Sequence, residues 1–420
     1  MINKINDIEI MSPAGSYESL MAAIQAGAGS VYFGIGALNM RSRSAANFDY
    51  DDLKNICEIC SQNGVKSYLT VNTVLYDDDL KDMRQIIDAA KENGVSAVIA
   101  SDHAAIEYAR SKGVEVHIST QLSISNIESV KFYSNFADVI VLARELNLNQ
   151  IKSICLKIDE EDVRGPSGEK VRIEIFVHGA LCMAISGKCY LSLHEANHSA
   201  NRGDCLQTCR KSYTVREKQS GYELDISNEN IMSPKDLCTL GFLDKILDTG
   251  VKVLKIEGRG RSPEYVKTVT RAYREAVDAI RKGSYNDEKI AHWTEQLKAV
   301  FNRGFWDGYY LGRKLGEWTG KYGSNATKKK EYVGKATNYY QKIGVGEFLI
   351  ESGEISEGDE LLIIGPTTGV VEGKAHGITV GHKEGTVAVK GDTVTFKTNE
   401  LIRRSDKLYR LINRNGDGHS

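Results

Sequence analysis

Residues 7–35 read "DIEIMSPAGSYESLMAAIQAGAGSVYFGI". A short apolar run opens the stretch. A segment with helical apolar spacing follows and ends in glycine, and "SVYFGI" then reads as a second strand. The rhythm recurs through "KSYLTV" (66–71), "SAVIAS" (96–101), "VEVHIS" (114–119), "DVIVLA" (138–143), "RIEIFV" (172–177) and "KVLKIE" (252–257). Between most of these runs lie helical patterns such as "LKDMRQIIDAAKENG" (80–94). Eight strands, each followed by a helix, predict a (β/α)8 TIM-like barrel over residues 1–282. A doubly wound open sheet is the competing fold, but no G-x-G-x-x-G follows the first strand.

The 420 residues exceed one ordinary domain. Past the last barrel helix, residues 283–330 read as a helical extension through "IAHWTEQLKAVFNRGFWDGYYLG" and then a linker. Residues 331–415 change texture to short alternating strands with glycine turns, predicting a small C-terminal antiparallel β-barrel. The net charge of −2 gives no global attraction to nucleic acid, so an RNA partner needs a local basic patch. No apolar run reaches the roughly 20 residues of a membrane span, and "MINKINDIEIMSPAG" lacks a signal-peptide core. The expectation is a cytoplasmic protein with reduced thiols and no membrane partner.

Chemistry in such barrels sits at the C-terminal strand ends. Here those ends carry Ser12-Pro13-Ala14-Gly15, Gly34, Asn72-Thr73, Ser101-Asp102-His103, Ser119-Thr120-Gln121, Arg144-Glu145, His178-Gly179 and Lys255-Ile256-Glu257-Gly258-Arg259. Together they predict a polar ligand-binding mouth. The seventh unit breaks the rhythm with a cysteine-bearing insertion after strand 7, residues 182–232. It includes a predicted hairpin, "KSYTVREKQSGYELDI", and ends at a helix cap, "SPKD".

The eight cysteines divide by setting. Leu53, Ile56, Cys57 and Cys60 fall at i, i+3, i+4 and i+7, one apolar helix stripe, so the C-x-x-C there reads as core; Cys155 reads the same way. Cys182, Cys189, Cys205 and Cys209 lie in no periodic pattern. Four thiolates suit a tetrahedral zinc or an iron–sulfur cluster, and their scattered spacing favours the cluster. Cys238, one turn into the helix expected after the insertion, is a rival to Cys209. The insertion also holds His194-Glu195-Ala196-Asn197-His198, an H-E-x-x-H. Zinc-protease chemistry needs both histidines on one helix face, and the flanking "SANRGD" argues for a loop instead.

"MSPAGSYESLMAAIQAGAGSVYFG", "STQLSISN", "VLARELNL", "IFVHGALCMAISGKCYLS", "ANRGDCLQTCR", "MSPKDLC" and "LKIEGRGRSPEYVKTVTRAYREAVD" together resemble peptidase family U32, the collagenase-like proteins, over residues 8–281. The resemblance implies oxygen-independent hydroxylation with a [4Fe-4S] cluster on Cys182, Cys189, Cys205 and Cys209. One branch of the family hydroxylates the wobble uridine of tRNA to 5-hydroxyuridine, drawing on prephenate as co-substrate; another acts on a ribosomal RNA cytidine. Length and the terminal β-barrel point to the tRNA branch. The implied partners are the tRNA anticodon loop and a paralogous U32 subunit.

On that reading Arg144 and Arg259 are the guanidinium forks for a dicarboxylate, with Lys255, Gln121 and Asn72 completing the substrate site. Glu145, Glu257 and His178 are candidates for moving protons. The bland alternative for the Arg–Glu neighbours is ion pairing across the rim. Arg202, Arg210 and Lys211, flanking the cysteines, are candidate RNA contacts, together with Arg216, Lys218 and Lys328-Lys329-Lys330. Tyr190 and Tyr213 are candidate stacking platforms. Two competing functions remain: a peptidase dependent on Glu195, and a non-catalytic RNA-binding factor.

Overall fold

The computed structural model describes residues 7–43, 45–214, 218–219, 232–312, 316–320, 323–381, 383–398 and 400–414. Strands β1 (Glu9–Pro13), β2 (Ser30–Phe33), β3 (Lys66–Val71), β4 (Ala97–Ala100), β5 (Val116–Ile118), β6 (Val139–Val141) and β7 (Arg172–Gly179) pair in parallel in chain order. Two more follow, β8 (Asp236–Cys238) and β9 (Val253–Ile256). β9 pairs in parallel with both β7 and β1 and closes the ring. The eight barrel strands are therefore the eight runs expected. Their near-continuous apolar character follows from burial on both faces.

The helices packed outside are α1 (Tyr17–Gln25), α2 (Tyr50–Gln62), α3 (Leu80–Glu92), α4 (His103–Ser111), α5 (Ile127–Ser134) and α6 (Leu148–Glu160). The short α7 (Leu191–Ala196) lies in the insertion, and α8 (Leu243–Leu247) and α9 (Pro263–Arg281) complete the ring. Side chains of Ser16, Asp49, Asp102, Asn126 and Asn147 accept from first-turn amides and fix where five of these helices start. Met11, Tyr32, Tyr68, Ala97, Ile99, Val139 and Val253 fill the barrel interior. Leu53, Ile56, Cys57 and Cys60 are the buried face of α2, and Cys155 is buried on α6. Burial pushes the Cys60 thiol up to about 12, which keeps it protonated and inert.

Two local readings are corrected, and a third lies mostly outside the described residues. Ser233–Asp236 does not start a helix: Asp236–Cys238 is β8, antiparallel to the end of β7 through His178↔Cys238. Asp236 is buried there and accepts from the Arg303 amide and guanidinium, so a long-range pair overrides the capping signal. The helical extension α10 (Asp287–Ala299) ends well before "GFWDGYY". Positive φ at Gly304 (77°) and Gly308 (63°) brackets β10 (Phe305–Trp306), which pairs with β8. Most of the hairpin expected over 211–226, with Arg216, lies outside the described residues.

From Lys328 the chain forms β11 (Lys328–Tyr340), β12 (Val345–Ile350), β13 (Glu354–Ser356), β14 (Glu360–Gly365), β15 (Gly369–Lys374), β16 (Thr379–Val380), β17 (Lys383–Glu384), β18 (Val387–Val389), β19 (Thr393–Lys397) and β20 (Lys407–Asn413). Eight of them make one antiparallel sheet, and β13 and β18 make a ribbon. Ile355 and Ala388 of the ribbon share a core with Phe348, Val394 and Leu408 of the sheet. Against the barrel, Ala22 of α1 packs on Leu362, Ile364 and Val370. Gln25 donates to the Thr368 carbonyl at 2.8 Å and accepts from the Val370 amide at 3.1 Å. Gln25→Ala strands both backbone groups, and the expected cost is about 1–3 kcal/mol in urea unfolding.

Candidate active site

The strand ends and the insertion enclose a cavity of about 120 Å³ at the barrel mouth. The thiols of Cys182, Cys189, Cys205 and Cys209 all line it, and none of the four is disulfide-bonded. The insertion is pressed onto the barrel tightly enough to dictate its glycines. A side chain at Gly203 (φ 86°) would sit 2.3 Å from the Asn39 carbonyl oxygen, and one at Gly187 (φ 74°) 2.8 Å from Gln121 Oε1. The Cys189 amide donates to Asn201 Oδ1 at 3.2 Å, and the Gln207 amide donates to Cys205 Sγ at 3.4 Å. Burial raises the Cys189 and Cys209 thiols, and the neighbouring sulfurs push both the same way. Cations nearby and a bound metal are what turn such thiols into thiolates. In residue type and number, four cysteines lining one cavity are the donor set that a four-thiolate metal group takes. Among the described residues no three His, Cys, Asp or Glu side chains converge on one point as a single ion would require; the four sulfurs share a cavity instead.

The same cavity is lined by Arg41, Arg144, Lys255 and Arg259, with one carboxylate, Glu257. Glu257 accepts from Arg41 at 2.7 and 3.1 Å and lies 3.9 Å from Arg144. Burial alone would raise its carboxyl. The charges of Arg41 and Arg144 outweigh this and bring it down to about 2. Lys255 bonds Glu174 at 2.7 Å inside the barrel. Arg259 is 5% exposed and, among the described residues, donates to the neutral oxygens Asn39 Oδ1 and Thr70 Oγ1, both at 2.9 Å, with the Glu257 charge nearby. Burial lowers it to about 10, so it stays charged at neutral pH. A buried cation without a bonded carboxylate is a seat for an anionic ligand.

The family model for peptidase family U32 matches residues 15–320. The chain belongs to peptidase family U32. A Collagenase of Porphyromonas gingivalis is 60% identical over 410 residues, 98% of this chain and 99% of its own length. A tRNA hydroxylation protein P1 of Bacillus subtilis is 32% identical over 366 residues, 85% of this chain and 83% of its own. The 23S rRNA 5-hydroxycytidine C2501 synthase of Escherichia coli is 35% identical over 322 residues, 74% of this chain but 46% of its own.

In this U32 chain the mouth gathers Asn72, Gln121, Arg144, Lys255, Glu257 and Arg259 around the four cysteines. Asn72 and Gln121 are polar wall residues; Gln121 Oε1 is buried without a partner. The other expected residues are placed differently. His178 is buried among Tyr265, Tyr273 and Phe305, outside the cavity, and burial drops it to about 3, so it is a neutral core ring rather than a proton carrier. Glu257 is locked as an anion by its arginines and acts as their counter-ion. Glu145 is exposed and faces a neighbouring cavity.

Arg210 is buried, its guanidinium spent on Ser233 Oγ and the carbonyls of Pro234 and Leu181; it anchors the insertion and cannot reach a phosphate. Arg202 pairs with Asp79 at 2.6 Å and lies 3.9 Å over the Tyr76 ring, stapling the insertion to the β3–α3 loop. Lys211 is exposed and bonds Glu195 at 2.7 Å, a surface pair cheap to open. Lys328 pairs with Glu360 and Lys330 with Glu264. Cys238 lies outside the cysteine cavity, beside Tyr273.

The H-E-x-x-H does contain a helix where a loop was expected, but α7 ends at Ala196 and Asn197 turns left-handed at φ 58°. His198 falls beyond the end and bonds Asp204, while Glu195 bonds Lys211, so the two histidines share no helix face.

Arg41 and Tyr32 were not anticipated. Arg41 lies in the long β2–α2 loop, whose length at the catalytic face was the available signal. Glu257→Gln is expected to destabilise the protein fully above pH 4.5. A depressed carboxyl contributes stability above its unfolded value and loses it as the pH falls toward 2, so the gap from wild type closes over that window. Urea midpoints at pH 3, 4, 5 and 7 check this.

Proposed function

We propose that the chain is an iron–sulfur RNA hydroxylase that converts the wobble uridine of tRNA to 5-hydroxyuridine, with prephenate as the oxygen-donating co-substrate. The observation that carries this reading is one cavity lined both by four cysteine thiols and by Arg41, Arg144, Lys255 and Arg259. Oxidising carbon 5 of a pyrimidine is beyond side chains alone, and a [4Fe-4S] cluster held by Cys182, Cys189, Cys205 and Cys209 would supply the electron chemistry. The chain's own part is to bind and orient. Arg259 and Arg144 take the two carboxylates of the co-substrate, Glu257 keeps Arg41 and Arg144 splayed at the rim, and Gln121 and Asn72 supply neutral polar contacts. Lys211, its partner Glu195 readily displaced, meets the RNA backbone.

The tRNA hydroxylation relative, aligned over 83% of its own length, supports tRNA over ribosomal RNA, because the ribosomal enzyme is about twice the matched length. The test is nucleoside mass spectrometry of tRNA from a deletion strain: 5-hydroxyuridine disappears and returns with the wild-type gene. The name of the 60% identical relative favours a second reading, peptide-bond hydrolysis. Gelatin cleavage by the purified chain, abolished by Glu195→Gln, with tRNA nucleosides unchanged in the deletion strain, would establish that reading and remove the first.

A further inference from the structure

Beside the cysteine cavity lies a second one, of about 180 Å³. The two share Arg144 and the run from Cys182 to Ser186, so one thin partition, carrying Cys182, separates them. The far walls are aromatic: Trp306, Tyr309 and Trp318. The chain has only three tryptophans, and two of them stand here. Trp306 is 6% exposed, packs edge-on to Tyr309 (5.4 Å, 75°), and keeps a buried indole N–H without a partner. Trp318 is held across from it by the bridge to Pro234. A side chain at Gly316 would come within 3.5 Å of Trp318 and 3.8 Å of Trp306, so the two indoles approach the same point of the cavity wall.

The remaining groups are polar and of opposite sign. Arg144 stands in the partition, its Nη1 donating to the Ala180 carbonyl at 2.9 Å and its guanidinium over the Phe176 ring, and Glu145 brings an exposed carboxylate. Flat apolar walls select a planar ring. A carboxylate accepts from a ring edge that carries an N–H, which uracil offers at N3 and cytosine at N4. A dicarboxylate would be repelled by Glu145, and the arginine-rich neighbour suits it better.

We propose that this cavity seats the unstacked pyrimidine base of the RNA, its face against Trp318 and Trp306 and its N–H edge at Glu145. The inference rests on the RNA-hydroxylase reading and assigns the base to one side of the Cys182 partition and the anionic co-substrate to the other. Enzymes that modify a base commonly extrude it into such a pocket.

The experiment uses the iron-loaded protein and a labelled RNA hairpin with a single loop uridine, read by fluorescence anisotropy against the same hairpin abasic at that position. Wild type should favour the uridine hairpin by roughly 5- to 150-fold, the worth of about 1–3 kcal/mol of stacking. Trp318→Leu should lose that preference, Trp318→Phe should keep it, and Glu145→Ala should weaken it. Equal binding of the two hairpins by wild type, or unchanged preference in both Trp318→Leu and Tyr309→Leu, overturns the inference. If those variants also hydroxylate the hairpin normally, the function stands and only the seat is wrong. A uridine preference that depends on Trp318, in a protein whose deletion leaves tRNA nucleosides unchanged, supports the seat and removes the reaction.

Discussion

Exchanging Cys209 for serine is expected to strip iron from the protein and to lower 5-hydroxyuridine in tRNA by more than ~100-fold, beyond what losing a supporting outer-shell group costs a metal site. Cys209 faces the cavity with Cys182, Cys189 and Cys205, and its neighbour Arg210 is fixed by three hydrogen bonds that leave the loop no freedom to offer a substitute. Serine keeps the volume but replaces a soft ligand by a hydroxyl that stays protonated. The controls are as informative. Cys60→Ala, in the buried face of α2, and Cys238→Ser, beside Tyr273, should both retain iron, with loss of stability confined to packing. Iron retained in Cys209→Ser but lost in Cys238→Ser would reassign the fourth ligand.

The second large effect is expected at Arg259. Arg259→Met keeps most of the side chain's length but removes a buried cation whose bonded partners are neutral oxygens. If the cavity receives a dicarboxylate, losing a charge-assisted fork costs about 2–4 kcal/mol, or roughly 30- to 1,000-fold in KM for prephenate. Iron content should not change, because Arg259 is bonded to Asn39 and Thr70 and to none of the four cysteines. Arg259→Lys should recover a fraction only, since an ammonium cannot reproduce the planar fork. Steady-state titration of the co-substrate, with iron measured on the same samples, separates a lost anion contact from a damaged metal site. Gly34 sets a constraint on this region: a side chain there would meet Arg259 Nη1 at 2.5 Å. Gly34→Ala should therefore mimic the Arg259 defect more weakly.

The barrel was legible because its determinants are local. Each parallel strand is buried on both faces and so reads as an apolar run, and five of the helices carry a side-chain cap in sequence. The cysteine set was legible for the opposite reason, since Cys182, Cys189, Cys205 and Cys209 fit no helix or strand pattern while Cys57 and Cys60 fit one. What could not be read was set by distant partners. Arg210 stands in a basic, polar segment and reads as surface, yet carbonyls 24 and 29 residues away bury it. Arg202 reads the same way and is claimed by Asp79, 123 residues away. His178 ends a barrel strand, the expected place for catalysis, but the strand is irregular between Phe176 and His178, and the ring packs against α9 instead of facing the mouth. Ser233-Pro234 carries a good helix-start signal that the pairing of β8 with β7 and β10 overrides.

The account stands most directly on metal analysis of the protein purified without oxygen. It predicts a brown protein with about four irons and four sulfides per chain, both lost together when any one of Cys182, Cys189, Cys205 or Cys209 becomes serine. A colourless, iron-free protein whose four cavity thiols all alkylate freely would contradict it.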